Sequence, residues 1–273
     1  MTLTCNRLAG ALGAVLGDFT VGDNSDAAVD SVIEHLNTHS LLLIQNQQLN
    51  AAHLVAFLDR FSQTMTPWNL TPDIISPDHP KAMVISSSGA RSAGSTWHSD
   101  YSFIEQPADY SAFYMSAVPN VGGNTAFANM YAAYEALSEP MKTMLGELDA
   151  VHDNAHRHEQ QFSDGDAYIT KETYAKLPPV RHKLVRTHPD TDRKALYFGS
   201  AVTKAIVGVP YLESKSIISF LSEHCAKLEF SYRHTWRAGD LIIWDNRCIA
   251  HCAIRDYDAA QLREGFIVCS RAH

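Results

Sequence analysis

From Trp97 onward the chain breaks into short apolar runs separated by turn residues, and this texture limits the fold more than any other feature. Runs at 111–117, 124–128, 230–236, 240–244 and 266–270 are each of strand length, and a Pro119-Asn120-Val121-Gly122-Gly123 turn divides the first two. Ahead of them the pattern predicts a first strand at 8–16, a strand at 41–45 and another at 83–86. It also predicts a helix over 26–39, with Ala28, Val29, Val32, Ile33 and Leu36 at helical spacing and Ser25 or Asp26 as cap. A second helix is expected over 50–61, capped by Asn50, and further helices over 131–145 and 213–227. Many short strands with a few helices outside them imply a closed or sandwiched antiparallel sheet of jelly-roll type. A doubly wound sheet is disfavoured, because regular strand-helix alternation and a Gly-rich phosphate turn are both missing.

With no internal repeat, low-complexity run or Pro/Gly-rich linker, the chain reads as one domain over 1–273. The stretch 151–180 departs from the pattern: it is rich in His, Asp, Gln and Ser, lacks periodicity and is expected to form a lid-like insertion. Its His152, His156 and His158 could hold a second metal, but polar loop histidines read more simply as solvated or substrate-facing. A net charge of -8 argues against nucleic acid or an anionic membrane as partner, and no apolar run approaches a membrane span. The five cysteines are odd in number. Cys248 and Cys252 flank His251, yet a zinc cluster there would need two more ligands nearby. Reduced cysteines in a cytoplasmic protein are the simpler expectation.

His98-Ser99-Asp100 and the distant His251 carry the chemistry. Two imidazoles and one carboxylate make the three-ligand face that holds non-haem Fe(II) and leaves positions open. Alternation along a strand through Trp97-His98-Ser99-Asp100 would set His98 and Asp100 on one side, with His251 arriving from a segment that follows the 241–244 run. The tripeptide alone is common by chance, so its surroundings decide.

Those surroundings resemble the Fe(II)/2-oxoglutarate-dependent dioxygenases of the taurine and 2,4-dichlorophenoxyacetate dioxygenase family over nearly the whole chain. The resemblance rests on Trp97-His98-Ser99-Asp100-Tyr101-Ser102-Phe103, on Gly122-Gly123-Asn124-Thr125 leading to Tyr131-Ala132-Ala133-Tyr134-Glu135-Ala136-Leu137-Ser138, on Arg186-Thr187-His188-Pro189, and on Trp244-Asp245-Asn246-Arg247-x-x-x-His251. It implies a double-stranded β-helix core, jelly-roll and cupin-like, with flanking helices. It further implies Fe(II) held by His98, Asp100 and His251, and 2-oxoglutarate and O2 as co-substrates. A small organic molecule would be oxidised, most simply hydroxylated, while 2-oxoglutarate becomes succinate and CO2. Desaturation or cyclisation would use the same iron chemistry.

By the same resemblance, a buried Arg and a Thr hydroxyl hold the distal carboxylate of 2-oxoglutarate. Arg263, twelve residues beyond His251, and Thr125 are the candidates. Arg271, on the same expected strand, competes with Arg263; Arg247 and Arg255 read as structural and surface charges. Tyr101, Trp68, Asn69 and His156 are candidate substrate contacts. Two departures bear on substrate. Ile267 stands where the taurine enzymes have a sulfonate-binding Arg, so taurine itself is disfavoured, and Gly94 stands where they have an Asn, which removes a second substrate or co-substrate contact. The expected substrate is a small, carboxylate-bearing organic molecule. A metal-dependent cupin hydrolase or isomerase without 2-oxoglutarate, and an inert binding protein on the same scaffold, remain as alternatives. Association into homo-oligomers is left open.

Overall fold

Period-two alternation along the strands decides the layering. In Leu41–Ile44, Tyr110–Ala117, Leu241–Asp245 and Glu264–Arg271, one set of side chains (Leu41, Leu43, Phe113, Met115, Ile242, Trp244, Ile267, Cys269) packs into an inner core. The intervening set (Leu42, Ile44, Tyr110, Ala112, Tyr114, Leu241, Ile243, Val268) packs into an outer one. Both faces are therefore buried, which is why these strands read as near-continuous apolar runs.

The computed structural model describes residues 3–22, 25–67, 74–86, 94–156, 177–258 and 260–271. The strands just named lie in a nine-stranded major sheet, ordered Thr4–Arg7, Ala14–Gly17, Leu41–Ile44, Leu241–Asp245, Tyr110–Ala117, Glu264–Arg271, His79–Ser86, Ile75–Ser76, with Gln63–Thr64 also paired to Glu264–Arg271. A three-stranded minor sheet of Ser231–His234, Thr125–Asn129 and Ile249–Ala253 faces it across the inner core. Phe113 meets Trp236 at 5.0 Å and Phe127 meets Trp244 at 5.5 Å between ring centroids, the edge-to-face contacts that join the two sheets. This is the expected jelly-roll core. The helices Asp26–His39 and Ala51–Leu58 cover the outer core with Val29, Val32, Leu36, Leu54, Val55 and Leu58.

Local chemistry sets the helix ends. Ser25 caps the first helix through its hydroxyl, which accepts from the Ala28 N–H at 3.3 Å, and Ser40 ends it at φ 64°. Asn50 accepts from His53 N at 2.9 Å while His53 Nδ1 accepts from Asn50 N at 3.4 Å, a reciprocal box. That helix stops at Leu58, short of the expected 61.

Elsewhere the expectations need correction. The stretch 8–16 is not one strand: Thr4–Arg7 and Ala14–Gly17 pair as a hairpin, and Leu8 N donates to Gly13 O at 2.9 Å across the turn. The helix expected over 131–145 is two, Met130–Glu135 and Glu139–Gly146, because Pro140 can open a helix but not continue one. Within 151–180, the strand Asp149–His152 pairs with Val180–Lys183 and Thr203–Ile206. Residues 157–176, where the lid-like insertion was expected, lie outside the described residues. No helix among the described residues is long and apolar enough to cross a membrane.

The turn after Leu241–Asp245 is locked by buried charge. Arg247 grips Asp245 through Nε at 2.9 Å and Nη2 at 2.6 Å, reaches Asp190 at 2.9 Å and donates to Tyr110 Oη at 2.8 Å. His188 Nε2 lies 2.9 Å from Asp245 Oδ2, the oxygen that Arg247 Nη2 also meets. Burial pushes the Asp245 pKa up, but hydrogen bonds from His188 and Arg247 and the Arg247 charge outweigh it and hold it below the usual carboxylate range. A depressed carboxylate stabilises fully above its unfolded pKa of about 3.9 and loses that contribution as pH falls through the folded value. Arg247→Ala leaves this carboxylate buried without its guanidinium and should lower unfolding free energy by about 3–5 kcal/mol, read by urea denaturation at neutral pH. A loss under 1 kcal/mol would show that the network carries little of the fold.

Candidate metal centre

His251 stands in the middle of Ile249–Ala253, directly opposite Phe127 on the central strand of the minor sheet. The segment carrying His98 adds to the edge of this strand by a single bridge: His98 N donates to His251 O at 3.0 Å and His251 N to His98 O at 2.8 Å. His98 is thus not in a regular strand, and Asp100 sits in a turn followed by Tyr101 at φ 55°. The turn, rather than alternation, brings Asp100 back beside His98. One donor atom from each of His98, Asp100 and His251 lies within 4.8 Å of the others. Asp100 Oδ1 is 3.8 Å from His98 Nε2 and 3.7 Å from His251 Nε2. Two donors each about 2.1 Å from one ion lie at most about 4.2 Å apart, so these separations suit a shared cation.

The surroundings fix which atoms point inward. His98 Nδ1 lies 2.7 Å from the Thr96 carbonyl, which can only accept, so Nδ1 carries the proton and Nε2 offers its lone pair. Ser111 Oγ donates to Asp100 Oδ2 at 2.6 Å, leaving Oδ1 toward the imidazoles. Asn246 ties this together: its Nδ2 donates to Ser111 Oγ at 2.8 Å, and its Oδ1 accepts from Asp100 N at 3.1 Å and from Trp244 Nε1 at 3.0 Å. Asn246 is fully buried, and the Trp244 ring lies 4.8 Å from that of His251, tilted 59° to it. Ser111 and Asn246 were not singled out from sequence as site residues. The signal was present in Trp244-Asp245-Asn246-Arg247, but that motif does not say that Asn246 faces the first histidine's loop. Asn246→Ala should reduce divalent-metal affinity about 10–100-fold, the usual effect of removing a group that orients a ligand. Isothermal titration checks it, and Asn246→Asp should recover little, since a second carboxylate beside Asp100 opposes its charge.

Thr125 begins the central strand of the minor sheet. Its Oγ1 accepts from Trp236 Nε1 at 2.9 Å, so its own proton is directed elsewhere. Arg263 is buried, donates from Nε to Gly123 O at 3.0 Å, two residues before Thr125, and lies with its guanidinium 5.6 Å from the Phe113 ring centroid. Phe113 in turn packs on Trp236 at 5.0 Å. Arg263 and Thr125 are therefore linked through Phe113 and Trp236. Burial lowers the Arg263 pKa and Tyr257 raises it. Arg271 lies at the far end of the same strand, where it donates to Gln106 O at 3.3 Å near the surface. Arg255 is exposed. The register near Gly265 shifts by a bulge between Glu264 and Gly265; a side chain at Gly265 would collide with the Tyr114 carbonyl.

Of the candidate substrate contacts, Tyr101 is buried, with its hydroxyl 3.9 Å from Met83 Sδ and its ring 5.8 Å from Phe103. Met83 pairs with Ile267, so Tyr101, Met83 and Ile267 form an apolar wall. His156 donates its backbone N–H to Asp153 Oδ1 at 3.3 Å, and among the described residues no recorded contact joins it to the triad. Trp68 and Asn69 lie outside the described residues. Cys248 groups with His188 and Asp245, but Asp245 is already engaged by His188 and Arg247, and no described cluster joins Cys248 to Cys252.

Residues 5–269 match the family described as taurine catabolism dioxygenase TauD, TfdA family. The chain belongs to this family. As a TauD/TfdA member it is 39% identical over 172 residues to the alpha-ketoglutarate-dependent 2,4-dichlorophenoxyacetate dioxygenase of Cupriavidus pinatubonensis, covering 63% of this chain and 58% of that one. This match thus spans less than two thirds of the relative's length. The (S)-phenoxypropionate/alpha-ketoglutarate-dioxygenase of Sphingobium herbicidovorans is 30% identical over 268 residues, 94% of this chain and 90% of the relative. A crystal structure of AAD-2 in complex with Mn(II) and N-oxalylglycine superposes with a TM-score of 0.86 at 27% identity, covering 100% of this chain and 98% of that one. The TauD/TfdA member thus carries the family's fold, and its His98, Asp100 and His251 supply the N2O donor set suited to Fe(II).

Proposed function

We propose that this protein is an Fe(II)/2-oxoglutarate-dependent dioxygenase that hydroxylates a small organic molecule bearing a carboxylate, with 2-oxoglutarate consumed to succinate and CO2. The observation that carries the reading is the His98/Asp100/His251 donor set together with a buried guanidinium, Arg263, where His251 packs on Phe127 and Trp244 and Arg263 on Phe113 of the inner core. When bound, iron supplies the oxidising chemistry by activating dioxygen at the expense of the 2-oxo acid.

The chain's own residues would hold and orient the reactants. His98 and His251 present neutral Nε2 atoms and Asp100 one carboxylate oxygen, which partly neutralises the metal. Arg263 would take the distal carboxylate of 2-oxoglutarate as a bidentate fork, and Thr125 would donate its hydroxyl to the same group. Trp236, Phe113 and Phe127 exclude water around these groups. Tyr101, Met83 and Ile267 would line the apolar side of the substrate, which favours a hydrocarbon or aryl body there over a second anionic head.

A reducing, cytoplasmic setting with free cysteines is part of this reading. A succinate-release screen with Fe(II), 2-oxoglutarate and oxygen, over aryloxy acids, amino-acid derivatives, sulfonates and sulfate esters, tests the substrate class. Release stimulated by carboxylate-bearing compounds supports it. Stimulation confined to sulfonates or sulfate esters would replace it, and metal-dependent hydrolysis without succinate would favour a cupin-type hydrolase.

A further inference from the structure

A second set of metal-ligand side chains meets at the edge of the major sheet, remote in sequence from the triad. Cys5 stands on the edge strand Thr4–Arg7, on the side packed against the outer core. His35 and His39 stand one turn apart on the helix Asp26–His39, where i,i+4 spacing puts both on the same face. Their rings lie 6.2 Å apart, 24° from parallel. One donor atom from each of Cys5, His35 and His39 falls within 4.8 Å of the others, and all three side chains are half-buried.

We propose that Cys5, His35 and His39 form a second metal site, binding a borderline-soft divalent cation of the zinc type through one thiolate and two imidazoles. Small rotations of the half-buried imidazoles bring the donors to about 2.1 Å for nitrogen and about 2.3 Å for sulfur. Three protein ligands leave a fourth tetrahedral position to water. A thiolate with two imidazoles selects zinc-like ions over magnesium, calcium or manganese, whereas the triad offers a carboxylate and no sulfur. Arg7 donates from Nη2 to the Gly10 carbonyl at 2.9 Å, and burial, His35 and the Arg7 charge together lower the His39 pKa, which favours the neutral imidazole that a metal needs. The bound ion would clip the exposed edge strand to the helix beside it, protecting an edge that otherwise presents unpaired backbone groups.

Cobalt(II), added to the reduced full-length protein without oxygen, tests this as a coloured stand-in for zinc. Two equivalents should bind, one of them giving a near-ultraviolet thiolate-to-cobalt band that zinc(II) then bleaches. Cys5→Ser should remove the band and one equivalent. His35→Ala should weaken that equivalent at least tenfold while the other stays. His98→Ala should keep the band and lose the other equivalent. Cobalt binding without a thiolate band in the unsubstituted protein, or a band that survives Cys5→Ser, overturns the proposal. Neither outcome bears on the triad's function.

Discussion

Arg263→Ala should weaken 2-oxoglutarate binding about 30-fold to several thousand-fold while Fe(II) affinity stays within about threefold. The range follows from truncating one partner of a buried charge pair, which costs about 2–5 kcal/mol, at tenfold for each 1.4 kcal/mol. Iron is expected to be spared because its donors would be His98, Asp100 and His251, whereas Arg263 reaches Gly123 and Phe113. Arg263→Lys should recover only part of the affinity, since an ammonium keeps the charge and loses the planar fork. Arg271→Ala should change little, because that side chain donates to a surface carbonyl at the other end of the strand. Isothermal titration of 2-oxoglutarate into the anaerobic Fe(II) protein separates the cases. A collapse on Arg271→Ala with Arg263→Ala unaffected would move the anchor.

Asp100→Ala should abolish stoichiometric iron binding, a loss larger than the 10–100-fold expected for Asn246→Ala. Asp100 supplies the only anionic donor of the triad, and without it two neutral imidazoles remain on one face. The substitution also removes the carboxylate oxygen that accepts from Ser111 Oγ, while Asn246 keeps its bonds to Ser111 Oγ, the backbone N–H of residue 100 and Trp244 Nε1, and the fold is carried by the two cores around it. Iron content after gel filtration should fall to background with the melting temperature of the apoprotein held within a few degrees. A folded Asp100→Ala protein that retained one tightly held iron would remove Asp100 from the ligand set. Asp100→Asn keeps the shape and tests the charge alone.

The strand texture and the apolar runs made the jelly-roll legible, because strands buried on both faces leave long unbroken apolar stretches such as Leu41-Leu42-Leu43-Ile44. The caps Ser25 and Asn50 were legible for the same local reason. The short strands Val180–Lys183 and Val185–Thr187 were not, since three or four partly exposed residues carry no periodic signal, and Lys194–Leu196 is too short to carry one although Ala195 and Leu196 are buried. In the centre, residue types sufficed to select His98, Asp100 and His251, but their geometry came from a turn and a single bridge rather than a strand. Ser111 and Asn246 escaped notice because a buried serine and asparagine announce nothing until Asp100 lies beside them. Arg263 and Arg271 share a strand in the sequence; only burial distinguishes their surroundings.

The most direct test of the central claim is optical. Fe(II) is added to the apoprotein without oxygen, then 2-oxoglutarate, and the visible spectrum is followed. A 2-oxo acid chelated to a triad-bound ferrous ion should give a weak metal-to-ligand charge-transfer band that saturates at one equivalent and is sharply weakened in Arg263→Ala. A folded, iron-loaded protein that gains no such band at saturating 2-oxoglutarate would contradict the account.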